Sequence, residues 1–127
     1  MTAATPFSKE VVLAIHAEAI KKFGGATGIR DEGLLDSALA QPFQTFSGAE
    51  LYPGTIEKAC RYAFGIIKDH PFIDGNKRTG AALLGTYLRI NGIGFSPEPA
   101  SFLLAMMGIA DGSMEYEDLV SWVKSAM

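Results

Sequence analysis

Apolar residues recur three or four places apart along almost the whole chain, in runs cut off by glycine, proline or asparagine. That spacing puts one apolar stripe on each of a series of helices and leaves little room for the alternation of a strand. Val11, Val12, Ile15, Ala19, Ile20 and Phe23 predict a first buried helix face, with Ser8 as N-cap and Gly24-Gly25 as the stop. A shorter helix after Asp31 buries Leu34, Leu35, Ala38 and Leu39 and ends before Pro42. Thr55 caps a third, whose face is Ile56, Ala59, Cys60, Ala63, Phe64 and Ile67. It ends near Asp69, because Pro71 disfavours helical geometry at His70. A fourth begins around Lys77 to Thr79 and runs to Ile90. It is apolar on more than one side, as a central helix would be, and Asn91-Gly92 stops it. Ser96-Pro97 opens a fifth, Phe102 to Ile109, ended by Asp111-Gly112; Ser113 caps a sixth with Tyr116, Leu119, Val120 and Val123 inward. No strand longer than Ile93 to Phe95 fits. The expectation is an all-α fold, a compact six-helix bundle forming a single domain over residues 1–127.

Composition narrows the function. The 127 residues suit one domain, and with 48% of them hydrophobic a core can form without metals or disulfides. Eleven basic residues against fourteen acidic, net −3, argue against direct nucleic-acid binding, which needs a basic excess to neutralise phosphates. Cys60 has no intrachain partner and sits in an apolar pattern, so it reads as a reduced core thiol. No apolar run approaches the roughly 20 residues of a membrane span. The first 15 residues lack the pattern of a secretion signal, so a cytoplasmic protein without membrane contact is expected.

Two stretches break the helical pattern. Residues 42–54 hold two prolines, two glycines and three aromatics, a loop in which Phe43, Phe46 and Tyr52 either pin the chain to the core or meet a partner. Residues 70–80 crowd His70, Asp74, Gly75, Asn76, Lys77, Arg78 and Thr79 between two apolar helices. Gly75 permits positive φ and close backbone approach to a ligand. The amides of Asn76, Lys77, Arg78 and Thr79 would be the unpaired N–H groups that make a helix start an anion site. Lys77 and Arg78 oppose the helix dipole there by roughly 0.3–1 kcal/mol unless an anion lies between, a local conflict that points to function. With phosphates there, Asp74 would be the natural Mg²⁺ ligand, and His70, entering the loop from the other side, is the candidate base. Singly, each has a plain use as cap, turn or solvated charge; eleven consecutive residues of this kind are hard to explain so.

His70-Pro71-Phe72-x-Asp74-Gly75-Asn76-Lys77-Arg78-Thr79 closely resembles the signature of the Fic/Doc superfamily, in particular its Doc (death-on-curing) branch, at nine of ten positions. Ile15-His16, Phe23-Gly24-Gly25, Gly28-Ile29-Arg30-Asp31 and Leu88-Arg89-Ile90-Asn91-Gly92 extend the likeness over essentially the whole chain. The resemblance implies an all-α fold with the motif loop and its helix at the centre. It implies ATP and Mg²⁺ as cofactors and a toxin that phosphorylates a protein hydroxyl, elongation factor Tu being the family's target, to block translation. His70 would take the hydroxyl proton, Asp74 would hold Mg²⁺, and Lys77 would set the reaction type. Gly75, Asn76, Lys77, Arg78 and Thr79 would bind the nucleotide, and Phe72 would anchor the loop. The Fic pattern of AMP-transferring enzymes has glycine where Lys77 stands and a second arginine where Ala81 stands; both departures are Doc-like. Gly75, where Doc proteins carry alanine, leans toward the Fic form and keeps AMP transfer as the alternative; an inactive Fic-like binding module is the other. The stretch from 43 to 52 falls where the family has a target-docking flap, centred on Thr45 to Gly48. No Ser/Thr-x-x-x-Glu-Gly/Asn inhibitory helix is present, so a Phd-type antitoxin folding onto an apolar groove is implied as the partner. Met106-Met107 and the aromatics could line that groove or simply fill the core.

Overall fold

A computed structural model describes residues 5–127; residues 1–4, the start of the stretch read for a secretion signal, lie outside it. Six helices follow in order: α1 Lys9–Phe23, α2 Glu32–Ala40, α3 Thr55–Asp69, α4 Asn76–Ile90, α5 Pro99–Asp111 and α6 Tyr116–Ser125. The bundle is all-α apart from a minimal hairpin, β1 Thr45–Phe46 and β2 Ala49–Glu50. α3 and α4 form the central pair; α2 and α6 pack on α3, α1 on α4, and α5 on both. Gly80 lets α3 and α4 pack closely: an added Cβ there would lie 2.8 Å from Ile67 Cγ1 and 3.2 Å from the Ala63 carbonyl oxygen. Around this pair Tyr62, Ile66, Leu83, Leu84, Tyr87 and Leu88 are wholly buried.

Most helix ends fall where the caps predict. Ser8 Oγ accepts from the Val11 amide at 3.2 Å and Asp31 Oδ1 from that of Leu34 at 3.0 Å. Gly24 ends α1 with its amide on the Ile20 carbonyl at 2.8 Å. Other starts shift. Gly54 rather than Thr55 is the N-cap of α3, and α5 starts with Pro99 at its first position rather than at Ser96-Pro97. α6 is capped by Glu115 and Asp118 in a capping box, while the Ser113 amide only closes a turn on Asp111 Oδ1 at 2.8 Å. Residues 93–95 form no strand.

The strands lie instead at 45–50, paired Thr45 with Glu50 and Phe46 with Ala49 across a two-residue turn in which Ser47 (φ 52°) and Gly48 (φ 81°) are both left-handed. The hairpin is moored by Lys58 of α3, 3% exposed, whose Nζ donates to Glu50 Oε1 at 2.7 Å and to the Tyr52 carbonyl. Phe43 and Tyr52 are half-buried, as pins would be, but Phe46 is 73% exposed. Val11 and Phe23, read as part of the buried face of α1, are also exposed; the buried residues of α1 are Val12, His16, Ala19 and Ile20. Met106 is buried and Met107 is not. Cys60 is a free, fully buried thiol that burial and the nearby Glu57 push up to about 12. Among the described residues no helix is long and apolar enough to cross a membrane.

Candidate active site at the start of α4

The α3–α4 connection does not wander; the α1–α2 connection fastens it at every turn. α3 ends in His70, held left-handed at φ 54°, ψ 52°, a conformation uncommon for a non-glycine residue. What holds it there is visible. Arg30 Nε donates to the His70 carbonyl at 2.7 Å, and its Nη2 donates to that of Asp69 at 2.9 Å. The amides of Arg30 and Asp31 donate to the Pro71 carbonyl at 2.7 and 3.0 Å, and that of Ile73 to the Gly28 carbonyl at 3.1 Å. Ile29 and Phe72 form an antiparallel bridge between them.

Phe72 anchors the loop in the core, fully buried and stacked on His16 with ring centres 3.8 Å apart and 6° between planes. His16 Nε2 lies 2.8 Å from the Asp74 carbonyl; a carbonyl oxygen only accepts, so the imidazole donates. Asp74 Oδ2 accepts from the Ala26 amide at 2.7 Å. Gly75 then takes φ 80° as the N-cap of α4, and a Cβ there would come within 3.0 Å of Ile20 Cδ1.

The first three amides of α4, those of Asn76, Lys77 and Arg78, find no backbone partner among the described residues. The fourth does: Thr79 N donates to the Gly75 carbonyl at 2.9 Å. The Thr79 side chain is fully buried, and its Oγ1 has no partner among the described residues. This corrects the expectation of an unpaired Thr79 amide, and the helical turn carries the side chain away from the cleft and into the core. Asn76 keeps the expected free amide and spends its side chain elsewhere. The residue is 4% exposed, its side chain held inside the loop. Oδ1 accepts from Phe72 N at 3.0 Å, while Nδ2 donates to Phe72 O at 3.0 Å and reaches His70 Nδ1 at 2.8 Å.

His70, Asp74, Gly75, Asn76, Lys77 and Arg78 together line one open cleft of about 640 Å³, faced by Phe23 and Gly24-Gly25 at the end of α1. Lys68 adds a third cation that the motif does not include. The Arg78 guanidinium lies 3.8 Å above the Phe23 ring, so the exposed phenylalanine is a platform for a site cation. Phe23, His16 and Arg30 are the side chains that spacing alone left without a site role. Their signal lay only in the short stretches shared with the family outside the motif.

The cleft suits a nucleotide's phosphates. Three unpaired amides at a helix start, two flanking cations and a glycine at closest approach are what such an anion needs. Among the described residues no cluster of three His, Cys, Asp or Glu could hold a metal by itself. Asp74, exposed and with Oδ1 outside the Ala26 bond, is the single carboxylate lining the cleft. That fits Mg²⁺, which takes one or two carboxylates and draws its other ligands from phosphate oxygens and water.

Residues 6–88 match the Fic/DOC family. Over 71 residues the chain is 44% identical to a protein named Toxin Doc from Mycolicibacterium smegmatis, a match covering 56% of this chain and 55% of the relative. It is 27% identical over 119 residues to Protein kinase doc of Escherichia phage P1, covering 92% of this chain and 91% of that one. The chain thus spans about half the length of the mycobacterial relative and nearly all of the phage one. The α1–α2 connection, the loop of residues 70–75 and the first turns of α4 all lie within the matched region, and the chain belongs to the Fic/DOC family.

Proposed function

We propose that this protein is a Doc-like toxin of a toxin–antitoxin system, a cytoplasmic kinase that moves the γ-phosphate of ATP onto a hydroxyl of elongation factor Tu and so blocks translation. The observation that carries the reading is the convergence of three unpaired amides, the cations of Lys77 and Arg78, the Asp74 carboxylate and the His70 imidazole on one cleft. In the reaction a bond forms between the target hydroxyl oxygen and the γ-phosphorus, the bond to the β–γ bridging oxygen breaks, and ADP leaves. His70 takes the hydroxyl proton. The amides of Asn76, Lys77 and Arg78 and the two side-chain cations hold the phosphates in line and offset the charge of the transition state. Asp74 would hold Mg²⁺, which would supply charge neutralisation to the phosphates. The exposed hairpin from Thr45 to Glu50 would dock the target as an added strand.

Lys77 and Ala81 favour this chemistry over AMP transfer. Lys77 fills space at the cleft, and Ala81 offers no second guanidinium clamp for the distal phosphates. Gly75 is the feature that supports AMP transfer as a second reading. A Phd-type antitoxin is the proposed partner. An apolar groove of about 510 Å³ adjoining the cleft, lined by Phe23, Arg78, Pro99, Phe102, Leu103 and Met106, offers the apolar chemistry that the buried face of an amphipathic helix needs.

Intact-mass measurement of purified elongation factor Tu after incubation with this protein, ATP and Mg²⁺ tests the reading. One added phosphate, absent with His70→Ala, is expected. One added AMP would establish the second reading, and no gain on this or any lysate protein would leave a binding module.

A further inference from the structure

The Asn76 side chain is held so tightly that it dictates where the proton of His70 sits. An amide side chain has one accepting and one donating end, and here both ends are assigned by groups that cannot change role. The Phe72 N–H, which only donates, faces Oδ1 at 3.0 Å; the Phe72 carbonyl, which only accepts, faces Nδ2 at 3.0 Å. Turning the amide over would set oxygen against oxygen and N–H against N–H in a site where Asn76 is 4% exposed and Phe72 wholly buried. The second hydrogen of Nδ2 therefore points at the atom 2.8 Å away, His70 Nδ1. Turning the imidazole over instead would replace that nitrogen by a C–H facing an N–H. Nδ1 is an acceptor here, so a neutral ring must carry its hydrogen on Nε2. His70 itself is exposed, and Nε2 has no partner among the described residues.

We propose that Asn76 is a positioning residue that sets the tautomer of His70, so that in the resting protein the exposed ring nitrogen is a donor. This deepens the function proposed above and rests on its assignment of His70. A ring with hydrogen on Nε2 cannot take a hydroxyl proton at that atom. It can donate to a phosphate oxygen, which helps nucleotide binding but performs no deprotonation. For Nε2 to accept, the ring must leave Asn76, lose the Nε2 proton to solvent and gain one on Nδ1, with no net change in charge. The resting contact is thus a latch on the histidine, released when the bound target displaces the ring.

The chain has two histidines, so the measurement is simple. The whole protein is labelled with ¹⁵N-histidine and long-range proton–nitrogen correlations are recorded well above the ordinary imidazole pKa of about 6.5. The spectrum of His70→Ala assigns His70 by difference, and His16, which donates through Nε2 to the Asp74 carbonyl, is the internal reference. Hydrogen on Nε2 of His70 is expected in excess of about tenfold, the ratio one ordinary hydrogen bond supports. Hydrogen on Nδ1, or comparable amounts of both forms, would overturn the proposal. In Asn76→Asp the donor facing Nδ1 becomes an acceptor, and the proton is expected to move to Nδ1; an unchanged tautomer there would show that Asn76 does not set it. Should that variant not fold, Asn76→Ala, which removes the donor facing Nδ1, is expected to let the Nδ1 form rise; an unchanged tautomer ratio there would likewise overturn the proposal. Neither spectrum depends on transfer, so a failed mass-shift assay and a failed tautomer assignment are separate results.

Discussion

Two side chains at the motif can be told apart by what they touch. Arg30 is remote in sequence yet grips the carbonyls of Asp69 and His70, and so holds the histidine in a left-handed turn costing about 1–3 kcal/mol. Arg30→Ala is expected to lower the single-turnover transfer rate by roughly 10²-fold, as misplacing a reacting group by about 1 Å would. ATP affinity, which depends on the amides of α4, should stay within a few-fold, and Arg30→Lys should recover only part of the rate because it cannot hold both carbonyls. Equal losses of rate and affinity would sink the assignment. Thr79 is the opposite case. Its Oγ1 is buried without a partner among the described residues, so Thr79→Val should leave transfer intact and stabilise the fold by about 1 kcal/mol. Chemical denaturation reads the stability, and a lost activity would put Thr79 back in the site.

Between elements, the decisive spacing is that of α3 and α4. Gly80→Ala gains about 1 kcal/mol of helix propensity. Against that, the new Cβ meets Ile67 Cγ1 at 2.8 Å and the backbone oxygen of Ala63 at 3.2 Å. Ile67 can rotate aside but the carbonyl cannot, and overpacking of this kind costs about 1–3 kcal/mol. A net loss is expected, seen as a lower Tm, together with weaker nucleotide binding because α4 carries the amides. The hairpin is tethered to α3 by the buried Lys58 ammonium on Glu50 and Tyr52. Lys58→Met should speed amide exchange over residues 45–50 and slow transfer to the protein target while sparing ATP binding. Unchanged exchange would mean the hairpin stands without it.

For the whole molecule, alkaline pH is the weak side. Burial raises the ionisation of Cys60 to about 12 and raises Tyr62, Tyr87 and Tyr116 in the same direction. Each stays protonated in the fold after the unfolded chain has begun to lose its proton. The stabilisation is therefore complete below the unfolded thiol value of 9.0 and is lost as pH rises toward the folded one. The slope from Cys60 alone is up to about 1.4 kcal/mol per pH unit. A Tm profile from pH 8 to about 10 should fall more steeply for the wild type than for Cys60→Ala. Parallel profiles would remove the thiol from the account.

The number of helices, their order and most of their ends follow from residues within four places of one another. Stripe, cap and stop signals act inside a single turn, so Ser8, Asp31, Gly24 and Pro71 say where helices begin and end whatever surrounds them. The density of chemistry at 70–79 is likewise local. The hairpin was missed because two-residue strands show no period; Ser47-Gly48 was its one local mark. What each motif residue does was decided by the fold. Helical geometry turns Thr79 inward while leaving the amides of Asn76 to Arg78 free, and the loop's own backbone consumes the Asn76 side chain. Arg30 reaches His70 across 40 residues and His16 reaches Asp74 across 58, distances over which no periodicity carries a signal. Phe23 obeys the stripe of α1 yet stays exposed, because the helix packed against that stripe brings Arg78 over the ring in place of another apolar side chain. Local interactions decide which elements form; which side chain faces which depends on packing between segments far apart in the chain, and exists only once they have come together.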